Sequence, residues 1–242
     1  MRTMRLVAVL VVVLGGMARA EDGAAPDPWE GFNRAMFTFN DGLDRWVLEP
    51  VAKGYDVVTP DELQHCIRNF FWNLRVPIQG LNGLFQGKAV QSASDVGRFT
   101  VNTTIGLAGF LDPATYFGLD RHEEDFGQTL GVWGVPNGPY LVIPLLGPST
   151  VRDTGGLAVD SLLTPTWYFL DAAVTVGSRV VDTVNTRAMV LEDVKRAREA
   201  SFDFYSAVRS AYLQHRESLL HDRAGTTRES DDTLYYPDEA KP

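Results

Sequence analysis

The residues in this chain of 242 that could do chemistry are few and scattered. His122-Glu123-Glu124-Asp125 is the most metal-like text, but the other histidines are His65, His215 and His221, none at ligand spacing, and HExxH is absent. The cluster reads as a solvated acidic turn, so no metal and no cofactor is assigned. Ser149 sits in Gly147-Pro148-Ser149-Thr150 with Asp153 and Asp160 close in sequence and no histidine in local reach. A distant histidine could fold onto it, which keeps a hydrolase open as an alternative. GxSxG, a Walker A loop, GxGxxG after a strand and CxxC do not occur. Cys66 is the only cysteine, so no intramolecular disulfide exists, and its apolar helical setting predicts a buried, inert thiol.

With no catalytic constellation in view, the longest unusual stretch carries more information. Residues 126–151 contain no charged side chain across 26 positions and are interrupted by Pro136, Pro139, Pro144 and Pro148 and by five glycines. Each proline removes a backbone donor, so the stretch cannot be a transmembrane helix despite its apolarity. Irregular backbone survives in lipid only where protein or water satisfies its N–H and C=O groups, so such a segment should lie against a protein frame or line a cavity. A buried loop of an ordinary globular core is the alternative. The Arg152-Asp153 pair that ends the stretch is a candidate polar anchor beside an apolar wall.

The N-terminus bears on compartment. Arg2 and Arg5 precede an apolar run over residues 6–14, and Ala18-Arg19-Ala20 offers small residues at the two positions a signal peptidase inspects, so residues 1–20 are expected to be a leader cleaved after Ala20. Removing Arg2, Arg5 and Arg19 takes the basic count from 22 to 19 against 31 acidic residues, a net charge of −12. That balance argues against nucleic acid and against adhesion to anionic lipid by charge, and leaves apolar contact as the route to a membrane.

The frame reads as helical. Asp27-Pro28-Trp29-Glu30 predicts a helix start with an Asp cap, Pro at the first position and a capping-box Glu. Phe32, Met36, Phe39 and Leu43 then share one face with Trp46 beyond it, a stripe that is either core or a face meeting lipid. Leu48-Glu49-Pro50 breaks the pattern, residues 51–58 read as a link, and Thr59-Pro60 opens a second helix that ends before Pro77. Residues 92–105 present a small-residue face of Ala93, Gly97, Thr100, Val101 and Ile105, and 106–113 is either a core plug or a membrane-dipping loop. Residues 157–184 read as helical with a break at Thr164-Pro165 and an aromatic group at Trp167-Tyr168-Phe169. One long helix is predicted over 186–221, with Val194, Phe204, Val208, Ala211, His215 and Leu219 on its buried stripe. From residue 224 the text is polar and reads as a disordered tail. Strand signals are confined to 140–145 and 132–135, so the fold class is mainly α, in one domain over residues 21–223.

Several blocks, in order, resemble the MlaA (VacJ) outer-membrane proteins. They are Asp27-Pro28-Trp29-Glu30-Gly31-Phe32-Asn33-Arg34 with Phe39-Asn40; Arg98-Phe99 with Asn102-Thr103; Gly106-Leu107-Ala108-Gly109-Phe110-Leu111-Asp112; Asp125-Phe126-Gly127-Gln128-Thr129; and Gly138-Pro139-Tyr140 through Arg152-Asp153. The resemblance implies a single ring-shaped helical domain with amphipathic, membrane-embedded helices in the periplasmic leaflet of the outer membrane. It implies a non-enzymatic passage for mislocalised phospholipids, partnered by a trimeric porin and a soluble periplasmic lipid carrier. Residues 126–151 then correspond to a hairpin loop across the passage, which lends Trp133, Asn137, Gly138, Pro139 and Tyr140 a gating role and places Arg152 and Asp153 near its base. Phe39 and Asn40 fall on the amino-terminal helix that would influence gating. Many members carry an acylated N-terminal cysteine where this leader ends in Ala18-Arg19-Ala20, so retention here is expected to rest on apolar helices and the porin. The alternatives are a porin-associated scaffold with a packed centre, or a phospholipid hydrolase using Ser149.

Overall fold

The computed structural model describes residues 27–164 and 166–220. The expected leader, Pro165 and the tail from residue 224 lie outside the described residues. Helix α1 (Glu30–Leu43) continues through a π-helical turn (Asp44–Leu48) into α2 (Glu49–Val58). Helices α3 (Asp61–Phe85) and α4 (Ala89–Thr104) fold back on each other, followed by the short α5 (Pro113–Tyr116) and α6 (Phe126–Val132). A hairpin of β1 (Tyr140–Ile143) and β2 (Gly147–Thr150) leads into α7 (Val151–Leu163). Helices α8 (Thr166–Phe169), α9 (Ala172–Met189), α10 (Leu191–Ala200) and α11 (Phe204–Leu220) complete the described chain. The mainly α class is therefore observed, and among the described residues no helix is long and apolar enough to cross a membrane.

Local chemistry explains the main boundaries and several departures from expectation. The Asp27 cap with Pro28 at the first helical position is not what forms: α1 begins at Glu30 with Trp29 at the cap and no side-chain cap bond, Asp27 accepts the Trp29 amide at 3.1 Å in the turn before it, and Glu30 reaches forward to Arg34 at 2.7 Å instead of closing a capping box. Residues 51–58 are helix rather than link, because Pro50 falls in the first turn of α2, where a missing N–H is tolerated. Helix α3 runs straight through Pro77 to Phe85. Pro77 lies on the exposed side while Asn73, Val76, Gln79, Gly80 and Gly83 are buried, so packing against α4 outweighs the roughly 3 kcal/mol that an interior proline costs. The predicted helix over 186–221 is three segments, interrupted at Val190 and again over residues 201–203. Residues 132–135 are the end of α6 and its C-cap, not a strand.

The partition of side chains is inverted. Buried positions among the described residues include Asn33, Gln64, Asn73, Asn82, Asp95, Arg98, Asn102, Gln128, Arg152, Asp153, Asn185, Arg187 and Arg216. Large apolar side chains face outward, with Phe32 51%, Phe39 53%, Trp46 84% and Phe169 84% exposed. The α1 stripe is thus an outer face, not core. On α4 the inward residues are Ser92, Asp95, Arg98 and Asn102, so the expected small-residue face is not the packed one. Leu107 and Leu111 are exposed, which removes the core-plug option for residues 106–113. A small apolar core does exist, built from Tyr140, Val142 and Tyr205 with Met36, Phe37, Tyr212 and Leu213 against it.

Helices α6 and α7 approach so closely that a Cβ on Gly156 would overlap the Gly127 backbone. Gly156→Ala is expected to destabilise by at least 1–3 kcal/mol, the usual cost of overpacking, because backbone cannot yield as a side chain can. Gly31→Ala, on an exposed turn of α1 with nothing within 4 Å of the new methyl, is expected to stabilise by about 0.5–1 kcal/mol. Thermal unfolding of both variants in one detergent checks the contrast.

Candidate functional site

The hairpin is held on its open edge by two side chains instead of a third strand. β1 pairs with β2 in antiparallel register, Tyr140 opposite Thr150 and Ile143 opposite Gly147. On the other edge, Asn33 Nδ2 donates to the Tyr140 carbonyl and the Val142 amide donates to Asn33 Oδ1, both at 2.9 Å. Asn40 repeats the contact one step on, donating to the Ile143 carbonyl at 3.0 Å and accepting from the Leu145 amide at 2.8 Å. Seven helical residues rise about 10.5 Å and three strand residues about 10 Å, so the first asparagine meets β1 and the second meets the strand's end and the turn that follows it. Leu145, at the hairpin tip, has a left-handed backbone (φ 67°), and the Asn40 carboxamide bonds the amide of that residue.

The base of the hairpin is tied into the first turn of α7. The Val151 and Arg152 amides donate to the carbonyls of Pro139 (3.1 Å) and Asn137 (3.2 Å), and Thr150 caps the helix by accepting the Asp153 amide at 3.1 Å. Gly138, between those carbonyls, has φ 68°, a conformation that disfavours any residue with a Cβ.

Behind that turn lies a buried ionic cluster. Arg216 of α11 donates Nε to Asp153 Oδ2 at 3.0 Å and Nη2 to Asp153 Oδ1 at 2.8 Å and to Asp125 Oδ1 at 3.0 Å. Arg152 adds 2.9 Å to Asp153 Oδ1, and the Tyr212 hydroxyl donates to Asp153 Oδ2 at 2.7 Å. Burial alone would raise the Asp153 carboxyl; the Arg216 charge and hydrogen bonds outweigh it and hold it below the usual carboxylate range. Asp125 behaves the same way, burial pushing up and the Arg216 hydrogen bond pushing down further. Asp125 also caps α6 through the Gln128 amide at 2.8 Å, so one arginine links two helix starts to the C-terminal helix. Tyr140 is buried above this cluster, with its hydroxyl pushed up to about 12 by burial, partly offset by Arg209.

The structure brings Asn137, Gly138, Pro139, Tyr140, Arg152 and Asp153 together at the hairpin base, and Asn40 to its tip. Phe39 points outward beside Asn40. Trp133 stands apart: it follows α6, its indole N–H donating to the Phe85 carbonyl at 3.0 Å and its ring packing on Phe85 and Phe126. Asn33, Asp125, Tyr212 and Arg216 complete the site and were not anticipated. On α11 the inward face is Tyr205, Tyr212 and Arg216, one position away from the predicted apolar stripe, whose Ala211 and His215 are exposed. A tyrosine and an arginine four apart on a helix are the signal for it.

The acidic turn is not solvated as expected. Glu124 is buried and accepts from Gln86, Lys88 and Gln91 at 2.7–2.8 Å, and His122 Nδ1 lies 2.8 Å from the buried Asp95. Ser149 is buried, sharing a 2.9 Å hydrogen bond with the Thr154 hydroxyl and contacting the Thr150 carbonyl. Neither contact activates a nucleophile, so the geometry gives the hydrolase alternative no support.

Together the fold and the site define a helical protein with a polar, hydrogen-bonded interior, an apolar exterior and a side-chain-clamped hairpin. A family model described as MlaA lipoprotein matches residues 25–219, and the chain belongs to that family. It is 36% identical over 199 residues to the intermembrane phospholipid transport system lipoprotein MlaA of Escherichia coli K12, covering 81% of this chain and 78% of that one. Its similarity to the Haemophilus influenzae protein of the same name is 34% over 217 residues, covering 88% and 85%. A chain solved in work on the structural basis for maintenance of bacterial outer membrane lipid asymmetry matches with TM-score 0.72 at 37% identity, covering 81% of this chain and 99% of that one.

Arg216→Met is expected to cost about 3 kcal/mol, because the buried Asp153 loses its main counter-charge while the half-exposed Asp125 is partly screened by water. Asp125 and Asp153 have depressed folded-state pKa values, so their contribution is complete above the unfolded value of about 4 and is lost as pH falls through the folded values. Asp112, depressed to about 2 against its burial by Arg121 and Arg98, extends that window downward. Melting temperature should therefore be flat near neutrality and fall steeply below pH about 4, with a shallower fall in Arg216→Met.

Proposed function

We propose that this chain moves phospholipids between membranes, as the names of its relatives state for them. It takes phospholipids misplaced in the outer leaflet of the outer membrane through its polar interior to the periplasmic side, where a soluble lipid carrier collects them. The observation that carries this is the inverted partition, with arginine, aspartate and asparagine inside and phenylalanine, tryptophan, leucine and valine outside. A polar interior lets a charged headgroup pass without the several kcal/mol that hydrocarbon exacts, while an apolar exterior stays in contact with acyl chains. No bond is broken, so no catalytic residue is required. The expected porin trimer supplies a surface for the outward apolar helices, and with them retains the chain in the periplasmic leaflet.

In this reading the hairpin is the gate. Asn137, Gly138, Pro139, Tyr140, Arg152 and Asp153 form its base, Phe39 and Asn40 set its position at the tip, and Trp133 anchors the segment that leads into it. Asn40→Ala removes two hydrogen bonds worth about 1 kcal/mol each without opening a core cavity. Amide exchange over residues 140–146 should then accelerate by roughly tenfold or more, while α3 and α4 are unchanged.

The direct test is an Escherichia coli strain lacking its own relative, assayed for phospholipid on the cell surface. This chain should restore a low surface level, and Gly138→Val and Asn40→Ala should restore it incompletely or leave the gate unregulated. A complemented strain whose surface phospholipid stays as high as that of the deletion would defeat the proposal.

A further inference from the structure

The repeat on α1 extends one residue past its asparagines. Phe32-Asn33-Arg34 and Phe39-Asn40-Asp41 stand seven residues apart, and in each the phenylalanine is exposed, the asparagine holds the hairpin and the third residue is charged. Both charged residues bond the corner where α10 meets α11, which is broken over residues 201–203. Arg34 Nη1 and Nη2 donate to Asp203 at 3.2 and 2.7 Å. Asp41 Oδ1 accepts from Arg198 Nη2 at 2.8 Å, and the same nitrogen lies 3.2 Å from Asp44 Oδ2. Phe37, between the two pairs, packs edge-on against Phe204 and Tyr205 of α11. Helix α1 is therefore gripped from two directions, by the hairpin through its asparagines and by the α10–α11 corner through its charges.

The two ion pairs are not equivalent. Arg34 and Asp203 are 42% and 36% exposed, so water screens them, and Asn33 has a second holder in Asp27, whose Oδ1 accepts its Nδ2 at 2.9 Å. Arg198 and Asp41 are each 19% exposed, and among the described residues the Asn40 side chain has no holder besides the hairpin groups it bonds. The π-helical turn that follows is itself well fixed. Its Glu49 amide donates to the Asp44 carbonyl, which stacks residues five apart, and the buried Arg187 of α9 donates Nε and Nη2 to Asp44 at 2.7 and 3.0 Å. The Asp41 side chain, next to Asn40, is reached from the C-terminal helices by Arg198 alone among the described residues. We propose that Arg198 is the positioning residue of the hairpin tip: by holding Asp41 against the fixed π turn it sets where Asn40 stands, and so how firmly the tip is closed. The proposal rests on the reading of the hairpin as the gate and names what governs that gate. The holding force is ionic and partly in contact with water, so salt loosens it, whereas Asn33 is tied to Asp27, whose side chain is 2% exposed and little screened.

The experiment is amide hydrogen exchange on the full-length protein in detergent, comparing the wild type with Arg198→Met, Arg198→Lys and Asp203→Asn. Arg198→Met is expected to speed exchange at Leu145 and Leu146 by about fivefold while Val142, whose amide is bonded to Asn33, is unchanged. Arg198→Lys keeps the charge and should stay close to the wild type, and so should Asp203→Asn, which keeps a helix-capping side chain at the start of α11. Raising NaCl from about 0.05 to 0.5 M should speed the wild-type tip by roughly two- to threefold and leave the Arg198→Met tip unaffected, a response that a purely structural role would not produce. Asp41→Asn removes the same pair from the other side if Arg198→Met does not fold. A tip rate that ignores both substitutions, that rises together with Val142, or that keeps its salt response without Arg198 would overturn the assignment. If the tip loosens as expected but Arg198→Met still clears surface phospholipid in cells like the wild type, Arg198 keeps its positioning role and it is the gate reading that falls.

Discussion

A buried charge is tolerable only when it is paired, and this fold is arranged around one such set: Arg216 and Asp153, both buried, with the half-exposed Asp125 on the arginine's outer side. The two carboxylates stand where helices α6 and α7 begin, so each also serves its own helix start, Asp125 by capping α6 and Asp153 by offering negative charge to the first turn of α7. The arginine comes from α11, more than sixty residues later in the chain. Through it, the last described helix fixes the relation between α6 and α7, and the hairpin sits between those two. Tyr212 and Arg152 fill remaining hydrogen-bonding positions on the buried Asp153, adding to the Arg216 charge that keeps it ionised.

The hairpin shows how a two-stranded sheet can be stable without a third strand. An isolated hairpin is marginal, and an open edge presents unpaired amides and carbonyls. A carboxamide carries one donor and one acceptor face, the same pair as a peptide group, so Asn33 and Asn40 can each complete a strand-like contact. Helix and strand rises then decide which asparagines can do this, and a spacing of seven satisfies both. The arrangement secures β1 by three hydrogen bonds and the hairpin turn by a fourth, each individually weak, in contrast with the ionic cluster at the base. A hairpin firm at the base and lightly held at the tip has its lowest-energy motion at the tip, and the backbone at Leu145 is already in a left-handed conformation there.

Much of this was legible in the sequence, and the failures share a cause. Helix content, a helix start shortly after Asp27, a strand near residues 140–145 and the unusual status of 126–151 follow from local rules that hold in any surroundings. The direction in which helices face does not. Periodicity locates the stripe of Phe32, Phe39 and Trp46, but the rule that apolar stripes face inward assumes water outside, and here the asparagine beside the phenylalanine is the buried residue. The same inversion misplaced the inward faces of α4 and α11 and made Glu124 read as solvated when it is enclosed by Gln86, Lys88 and Gln91. Pro77 misled for a different reason: a proline on the outer side of a long packed helix costs one hydrogen bond, which tertiary contacts can outweigh. Asp153 was legible as an anchor; its main partner Arg216 was not, because nothing local relates residues sixty-three apart.

The inverted partition also changes where stability comes from. In an ordinary domain the burial of apolar surface stabilises the folded state at about 25 cal/mol per Å². Here the described apolar core is small and the large apolar side chains gain that term only when something other than water covers them. The interior contributes hydrogen bonds, each worth about 1 kcal/mol net because water would have made them too. An interior of that kind has a property an apolar core lacks: its partners are exchangeable. On the proposed route a polar headgroup would replace a protein partner hydrogen bond for hydrogen bond, whereas the same headgroup in hydrocarbon would lose several kcal/mol. The feature that makes this chain depend on its surroundings for stability is therefore the one that the proposed function calls on, and the two cannot be separated by substitution: replacing the interior asparagines and arginines with leucine would build a sturdier core and remove the polar groups a headgroup would bond.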